Sequence, residues 1–275
     1  MHVRLFLLSL GVFSLAATAA SQVANPQQPE PRSSGATGGI AYPTDGGAGR
    51  SMESIFVPPK AGAPFSLTLG TEWTRTMANG GTFTVANERH IVRDTKGRIY
   101  QERWILVPRG GKVKSQMNFI QITDPELHTW HNCDVFRKIC ELLPYSLTTA
   151  QTYPPFIFPS GPLPDGSGSR THEDLGESST LGVNTHGYRD TTTINEGVMG
   201  NDQPMVSLRE FWFSPHLGFN LISIVDEPQS GKQVFTVKDL STAEPEPTYF
   251  EVPAGYTVVD HRHEVVGPDS SSAPR

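Results

Sequence analysis

The sequence has little of what a nucleic-acid partner or a helical fold requires. Its 275 residues include 22 Lys and Arg against 28 Asp and Glu, a net charge of −6, and the basic residues form no cluster. Nucleic-acid binding needs a positively charged surface, so we set nucleic acid aside as a partner. After residue 20 no long stretch repeats apolar residues at helical spacing, which argues against a helical core.

Motifs that carry chemistry are also absent from the sequence. It contains no Gly-x-Ser-x-Gly nucleophile elbow and no Gly-rich phosphate loop. His128 and His131 are three residues apart on a predicted strand, so their side chains point to opposite faces and cannot share a metal ion. We therefore expect no enzymatic activity, no catalytic residue, no cofactor and no metal site.

Cysteine is almost missing as well. The two cysteines, Cys133 and Cys140, are an even count, which in an oxidising compartment is typical of a disulfide. If residues 128–133 and 139–143 pair as a hairpin, the two Cβ atoms lie opposite each other at bridging distance. The spacing predicts this disulfide, and two free buried thiols are the alternative.

Long apolar runs are confined to the N-terminus. Residues 1–20 have the form of a secretory signal peptide, with Arg4, an apolar run at Leu5–Leu15 and small residues before a cleavage site at Ala19 or Ala20. The run is too short to cross a bilayer, and no cysteine follows that site closely enough to carry a lipid. We expect an exported protein, periplasmic or secreted, with no membrane span after signal cleavage.

Composition divides the rest of the chain. Residues 21–60 are rich in Pro, Gly, Ser and Gln and bury too little apolar surface to become ordered, which predicts a disordered linker. We predict a second disordered segment, the tail at 263–275. Between the two, residues 61–262 are predicted to form one β domain, interrupted by a long Pro- and Gly-rich loop at 144–171.

Strand and turn signals are abundant in that domain. Met205–Phe213 and Leu217–Val225 are rich in β-branched and aromatic residues and have Pro215 between them, which predicts a hairpin. Turn sequences such as Asn79–Gly81 and Asp94–Gly97 join further strands and leave no room for crossover helices. The pattern predicts about ten strands in a single large antiparallel meander with few or no helices, curved into a half-barrel.

Four glutamates lie in the middle of predicted strands, and each has an arginine close by in the sequence. Cross-strand ion pairs on a solvated face explain them. The glutamates and their neighbours are Glu72 with Arg75, Glu88 with Arg89, Glu102 with Arg103, and Glu210 with Arg209.

Large apolar side chains are spread over different strands, and curvature of the sheet can gather several of them on one concave surface. We predict that this surface holds an apolar or amphipathic ligand or an envelope partner. The predicted wall consists of Trp104, Phe119, Phe211, Trp212, Ile222 and Phe235. Alternatively, these residues fill the core of a structural or protein-interaction module of the cell envelope, which has no small-molecule ligand and binds its partner along a sheet edge.

Five motifs in a fixed order resemble a family of uncharacterised exported bacterial β-rich proteins. They are Thr71–Thr76, Val92–Arg98, Gly200–Pro204, Glu210–Pro215 and Glu244–Pro253. The family implies no activity. The meander is more distantly similar to periplasmic lipoprotein carriers and a related envelope-stress sensor domain, whose half-barrels hold acyl chains on a concave apolar face. That resemblance implies lipid binding, although this chain has no clear helices to fill a half-barrel.

Overall fold

The computed structural model describes residues 55–109, 111–146 and 159–263, which all belong to one compact unit. The predicted signal peptide, most of the predicted linker and most of the predicted tail lie outside the described residues. Within them, thirteen strands form a single sheet, and the one helical element is a 3₁₀ helix at Pro247–Phe250. The fold is the open, mainly antiparallel sheet of half-barrel form that the sequence predicts.

The strands follow the chain in two meanders. The first comprises β1 (Phe65–Thr76), β2 (Thr82–Arg93), β3 (Ile99–Arg109), β4 (Lys112–Asp124), β5 (Thr129–Asp134) and β6 (Ile139–Pro144). The second comprises β7 (Gly161–Pro162), β8 (Gly168–Thr180), β9 (Val183–Ile194), β10 (Met205–Ser214), β11 (Phe219–Glu227) and β12 (Gly231–Ser241), and β13 (Thr257–Asp260) follows the 3₁₀ helix.

The two meanders join side by side in the centre of the sheet. The seam is the antiparallel pair of β1 with β12, in which Ser66 lies opposite Ser241. From edge to edge the order is β13-β6-β5-β4-β3-β2-β1-β12-β11-β10-β9-β8-β7. The only parallel pair among these strands is β13 with β6. The first and last long strands of the chain are therefore neighbours.

Alternate residues of the central strands build the main core on one side of the sheet, the core face. In β1, Phe65, Leu67 and Leu69 are almost fully buried, while the residues between them point to the opposite side. Residues of β2, β3, β11 and β12 complete the cluster, which therefore spans the seam. Ile55 and Val57 pack against it, so the packed domain begins before the predicted start at residue 61.

A buried arginine ties three separate segments together at the edge of this core. Arg93 donates hydrogen bonds to the carbonyl oxygens of Ala63 at 2.9 Å, Pro58 at 2.7 Å and Leu217 at 2.8 Å. Its guanidinium also lies 4.8 Å from the ring centre of Phe65. Burial lowers the pKa of Arg93 to about 10. The side chain holds the segment before β1 against the turn between β10 and β11.

We call the opposite side of the sheet the groove face. The 3₁₀ helix covers one end of it. Tyr249 and Phe250 pack there against a small cluster formed by Val92, Tyr100 and Ile122. The rings of Tyr100 and Tyr249 are 5.1 Å apart, and burial raises the pKa of Tyr100, with Glu102 adding to the shift. The rest of this face on the central strands carries smaller and more polar side chains.

The predicted disulfide is present in the hairpin of β5 and β6. Cys133 and Cys140 are register partners with Cα atoms 3.9 Å apart, and their sulfur atoms are bonded. The predicted loop at 144–171 is shorter than expected, because β7 and the first residues of β8 lie within it. Residues 147–158 of that loop are outside the described part of the chain.

Candidate ligand groove

A groove of about 710 Å³ crosses the groove face of the five central strands, from β12 over β1 and β2 to β3 and β4. Its lining combines one large aromatic side chain with small apolar, hydroxyl and charged groups. The lining residues are Thr68, Gly70, Thr71, Glu72, Ala86, Asn87, Glu88, Arg89, His90, Glu102, Trp104, Ser115, Val234, Thr236 and Lys238. A site of this size accommodates a small molecule or a short chain segment.

A bulge in β12 forms the floor of the groove. In the pairing of β1 with β12, Thr68 lies opposite Asp239 and Leu69 opposite Val237, which leaves Lys238 without a register partner. Bulges re-aim side chains, and here Lys238 crosses the neighbouring strand over Gly70. A Cβ atom on Gly70 would overlap the Lys238 side chain, so the absence of a side chain at this position makes the crossing possible.

The crossing ends in an ion pair. Gly70 is the register partner of Glu88 on β2, and the ammonium group of Lys238 reaches the Glu88 carboxylate. Both side chains are about half exposed, at 51% and 57%, so the pair contributes little to stability. Its effect is to neutralise one carboxylate of the groove.

Glu102 organises the wall on the β3 side. Its carboxylate accepts hydrogen bonds from the Trp104 indole at 2.8 Å, from the backbone amide of His90 at 3.3 Å and from the Tyr100 hydroxyl at 3.3 Å. Trp104 and Glu102 are two residues apart on one strand, so their side chains lie on the same face. The indole is therefore held at a fixed place in the groove wall.

His90 lies at the closed end of the groove. Its ring bonds the Ser66 hydroxyl at 2.8 Å and packs edge-on against Tyr249, with ring centres 5.4 Å apart. Beyond it a smaller cavity of about 410 Å³ lies between Tyr100 and the residues that follow the 3₁₀ helix. The 3₁₀ helix thus bounds the groove at this end.

A second tryptophan makes the same kind of contact outside the groove. The Trp212 indole donates to Glu210 at 2.9 Å, and its ring lies over Gly187 of β9, where an added Cβ would be 2.8 Å from the ring. Burial raises the pKa of Glu210, but hydrogen bonds from Trp212 and Arg189 outweigh burial, and the pKa lies below its ordinary value. Here the indole covers the sheet at Gly187 and does not belong to the lining of the groove.

The six residues predicted as one wall lie on both faces of the sheet. Register places Trp212, Ile222 and Thr236 in one row with Gly70, which puts the first two on the groove face. Phe211 lies in the next row, with Ser223, Phe235 and Thr71. Phe235 is a buried core residue, so this row belongs to the core face.

Only one of the six predicted residues lines the groove. Trp104 does so, whereas Trp212 and Ile222 lie on the same face beyond its β12 side. Phe119 is the register partner of Arg103, which points to the core face with Ile99. The structure therefore does not bring the six side chains together, and their role in ligand binding stays a prediction.

Three of the four glutamates predicted as ion-paired surface residues, Glu72, Glu88 and Glu102, line the groove. The expected arginine partners follow Glu88, Glu102 and Glu210 by one residue or precede them by one, and adjacent strand residues point to opposite faces. The structure pairs Glu88 with Lys238 and Glu210 with Arg189, across strands, while Glu102 accepts hydrogen bonds from Trp104 and Tyr100. Side chains alternate between the two faces of a strand, and this alternation was the signal that excluded the arginines next in sequence as partners.

Comparison with known proteins places the chain by fold alone. No protein family and no curated protein matches the sequence. Among solved structures, an uncharacterised conserved protein from Thermus thermophilus is 8% identical, with 72% of this chain and 91% of that chain covered and a TM-score of 0.38. Uncharacterised proteins and lipoproteins are the neighbours that the sequence resemblance predicts.

Two further solved structures show a similarly low identity. The MucA/MucB complex of Pseudomonas aeruginosa is 16% identical over 71% of this chain and 58% of that chain, with a TM-score of 0.34. Lipoprotein LppX of Mycobacterium tuberculosis is 11% identical over 66% of this chain and 88% of that chain, with a TM-score of 0.22. At these TM-scores we base no functional argument on the likeness.

Two further features of the described ranges bear on function. None of their helices is long and apolar enough to span a bilayer. Those ranges also hold no group of three or more His, Cys, Asp or Glu side chains arranged to bind a metal ion.

Proposed function

We propose that this chain is an exported binding protein that holds an amphipathic ligand in the groove. The observation that carries the proposal is the groove itself, an open space of about 710 Å³ with the Trp104 indole fixed in its wall. Ala86 and Val234 offer apolar contacts, while Glu72 and the ion pair of Glu88 with Lys238 offer polar ones. This mixed lining favours an amphipathic ligand over a purely apolar one.

Export is part of the proposal. The signal-like residues 1–20 support it, and so does the disulfide between Cys133 and Cys140, because disulfides persist mainly in oxidising compartments. The proposal is binding and not catalysis.

The test compares two tryptophans that make the same hydrogen bond on the same face. The purified mature chain is titrated with dodecylphosphocholine below its micellar concentration and with a hydrophobic reporter dye, and Tm is measured. Binding to the folded state alone raises stability, by about 2.7 kcal/mol at a ligand concentration of 100 Kd. We expect Trp104→Ala to abolish the rise and Trp212→Ala to retain it, each relative to its own ligand-free Tm.

The outcome that contradicts the proposal is equally defined. If neither probe raises the Tm of the unaltered chain, the groove does not hold an amphipath of this kind. If both tryptophan variants keep the rise, the binding site lies elsewhere, and if both lose it to the same extent, the loss is not specific to the groove.

A second candidate function is a protein-interaction module of the envelope, and the edge of β8 favours it. Of the thirteen residues of β8, Ser169 and Arg170 pair with β7 and the His172 main chain bonds the Ser160 side chain, while the described residues supply no strand partner for the edge beyond them. A photoreactive group at Glu173 on β8 is compared with one at Glu72 in the groove. One cross-linked protein from Glu173 alone would favour this function over ligand binding.

A further inference from the structure

The sheet is forked between β2 and β3. β2 pairs with β1 along all twelve of its residues, but it pairs with β3 only through Ile91, Val92 and Arg93. Over the rest of their length the two strands diverge and have no register partners in each other. We call the residues that diverge, Thr82–His90 of β2 and Glu102–Arg109 of β3, the fork.

Two hydrogen bonds cross the fork, and they indicate to which side the main-chain N–H and C=O groups of β2 point. The His90 amide donates across the fork to the Glu102 carboxylate, and the Asn87 side chain donates across it to the Trp104 carbonyl at 3.1 Å. Because main-chain groups alternate sides along an antiparallel strand, Ala86 and Thr84 point their N–H and C=O groups to the same side as His90. Both residues are exposed.

The groove opens onto this main-chain edge. Its lining includes the five consecutive residues 86–90 of β2, whereas side chains on one face of a strand recur only at every second residue. Arg89 is the register partner of Leu69, so its side chain points to the core face and its main chain lines the groove. β2 therefore presents backbone as well as side chains to the open space.

Near the closed end of the fork, side chains take the place of a missing strand. The Glu102 carboxylate supplies an acceptor for the His90 amide, and the Asn87 amide supplies a donor for the Trp104 carbonyl. Main-chain polar groups that leave water need such partners, and a neighbouring strand is their usual source. Toward the open end, at Thr84 and Ala86, an added strand would find the same kind of donors and acceptors.

The charged side chains around the fork favour basic residues in such an added strand. The side chains on this face of the groove include Glu72, Glu88 and Glu102 against Lys238, which the ion pair with Glu88 already engages. The carboxylates outnumber the ammonium group, so basic side chains on an entering strand are attracted. The Trp104 indole adds a ring face for the same groups.

We propose that the groove binds an extended segment of another polypeptide chain, which adds as a strand to the open edge of β2 and carries Lys or Arg side chains. The proposal rests on the proposed function, because it names the ligand class of the same groove. The segment exchanges main-chain hydrogen bonds with Thr84 and Ala86. Its alternate side chains, two residues apart, lie over Glu72 and Glu88.

The first experiment varies the peptide. The mature chain is titrated by calorimetry with a capped peptide of alternating lysine and valine, about seven residues long to match this stretch of β2. We expect binding that weakens with added salt, and no binding of a glutamate and valine peptide. Methylating alternate peptide nitrogens removes main-chain donors and keeps the charge, so it should weaken binding by roughly tenfold or more.

The second experiment varies the protein at one position. Ala86→Pro removes an N–H that points into the fork and leaves the ladder of β2 with β1 intact, and Ala86→Val keeps that N–H. We expect the proline variant to lose peptide affinity by roughly tenfold and the valine variant to retain it. Circular dichroism and Tm check that both variants are folded, and the methylated peptide decides the question if the proline variant is not.

The outcomes separate this inference from the proposed function. Equal binding of the methylated and unmethylated peptides overturns strand addition. If the basic peptide fails to bind while dodecylphosphocholine still raises Tm, the inference is wrong and the proposed function stands. If neither binds, both are wrong. Peptide binding that needs the Ala86 amide, with no effect of the detergent, supports the inference and narrows the ligand to a polypeptide.

Discussion

The two faces of the central strands differ in packing and in polarity, although both are formed by alternate residues of the same strands. Along β1, Phe65, Leu67 and Leu69 enter a tightly packed core, and the residues between them form part of an open groove. The core face even buries an arginine, with all its contacts inside the protein. The groove face keeps its charged groups at the surface.

The difference assigns stability to the core face, and the ligand binding proposed above to the groove face. Apolar burial is worth about 25 cal/mol per Å², so the core face supplies most of the folding free energy of these strands. The groove face then tolerates polar and small residues such as Thr68 and Gly70, which leave room for a ligand. Substitutions on adjacent residues of one strand should therefore have unlike effects.

Arg93 provides the largest expected effect. Arg93→Ala removes hydrogen bonds to three carbonyl oxygens and leaves a cavity, and because each buried group left without a partner costs about 1 to 3 kcal/mol, we expect a total loss of about 3 kcal/mol or more. Urea unfolding measures the change. The control is Arg75→Ala, an exposed residue on the same sheet, which should change stability by less than about 0.5 kcal/mol. Arg75 and Arg93 both lie on the core-face side, so similar losses for the two would contradict the importance of burial and of the three hydrogen bonds.

Neighbouring residues of β1 sharpen the comparison. Leu69→Ala empties a buried position of the core face and should cost about 2 to 5 kcal/mol. Thr68→Ala changes only the groove lining and should have an effect within about 0.5 kcal/mol. Denaturant midpoints of the two variants, at unchanged slope, test this. A Thr68→Ala loss as large as that of Leu69→Ala would show that the groove face also carries the fold.

The ion pair on the groove floor predicts a smaller effect. Lys238→Ala removes a pair that is half exposed on both sides and should cost less than about 1 kcal/mol, a difference that disappears in high salt. Lys238→Met keeps the aliphatic stem over Gly70 and separates the charge from the packing. Thermal unfolding at low and high salt measures both variants, and a salt-independent loss would rule out a charge effect.

The smallest effect is expected at His186, on the core-face side of β9 near the far edge of the sheet, where that face is exposed. Glu177 and Asp174 accept hydrogen bonds from the imidazole and raise its pKa above the ordinary value. The stabilisation is complete below the unfolded pKa of about 6.5 and disappears as pH rises through the higher folded pKa. NMR titration should detect the raised pKa, and Glu177→Gln should lower it. An unshifted imidazole would contradict the paired geometry.

Local sequence signals were enough to predict the elements of the fold. The hairpin around Pro215 and the pairing of Cys133 with Cys140 depend on residues close together in the chain, and both were predicted correctly. Phe211 and Trp212, in contrast, were assigned to one wall although adjacent strand residues point to opposite faces.

The groove depends on the extent of strand pairing and on a β-bulge, and neither can be read from the amino-acid composition. The fork between β2 and β3 is a matter of how far two strands stay paired, and the crossing of Lys238 over Gly70 depends on one bulge. Register over long sequence separations determines both, and no local pattern encodes it. The glutamates were visible in the sequence, but their partners could be identified only once β12 was placed beside β1.

The seam between β1 and β12 also has a consequence for the order in which the chain can fold. Phe65 and Leu67 of β1 belong to one core with Phe235 and Phe219 of the second meander, so this core is complete only when both meanders are present. Closing contacts so far apart in the chain is slow. A nascent chain must therefore wait until β12 has emerged, and until then it exposes surface that aggregates or recruits chaperones. Late assembly of this kind is compatible with the export proposed above, because it delays compact folding.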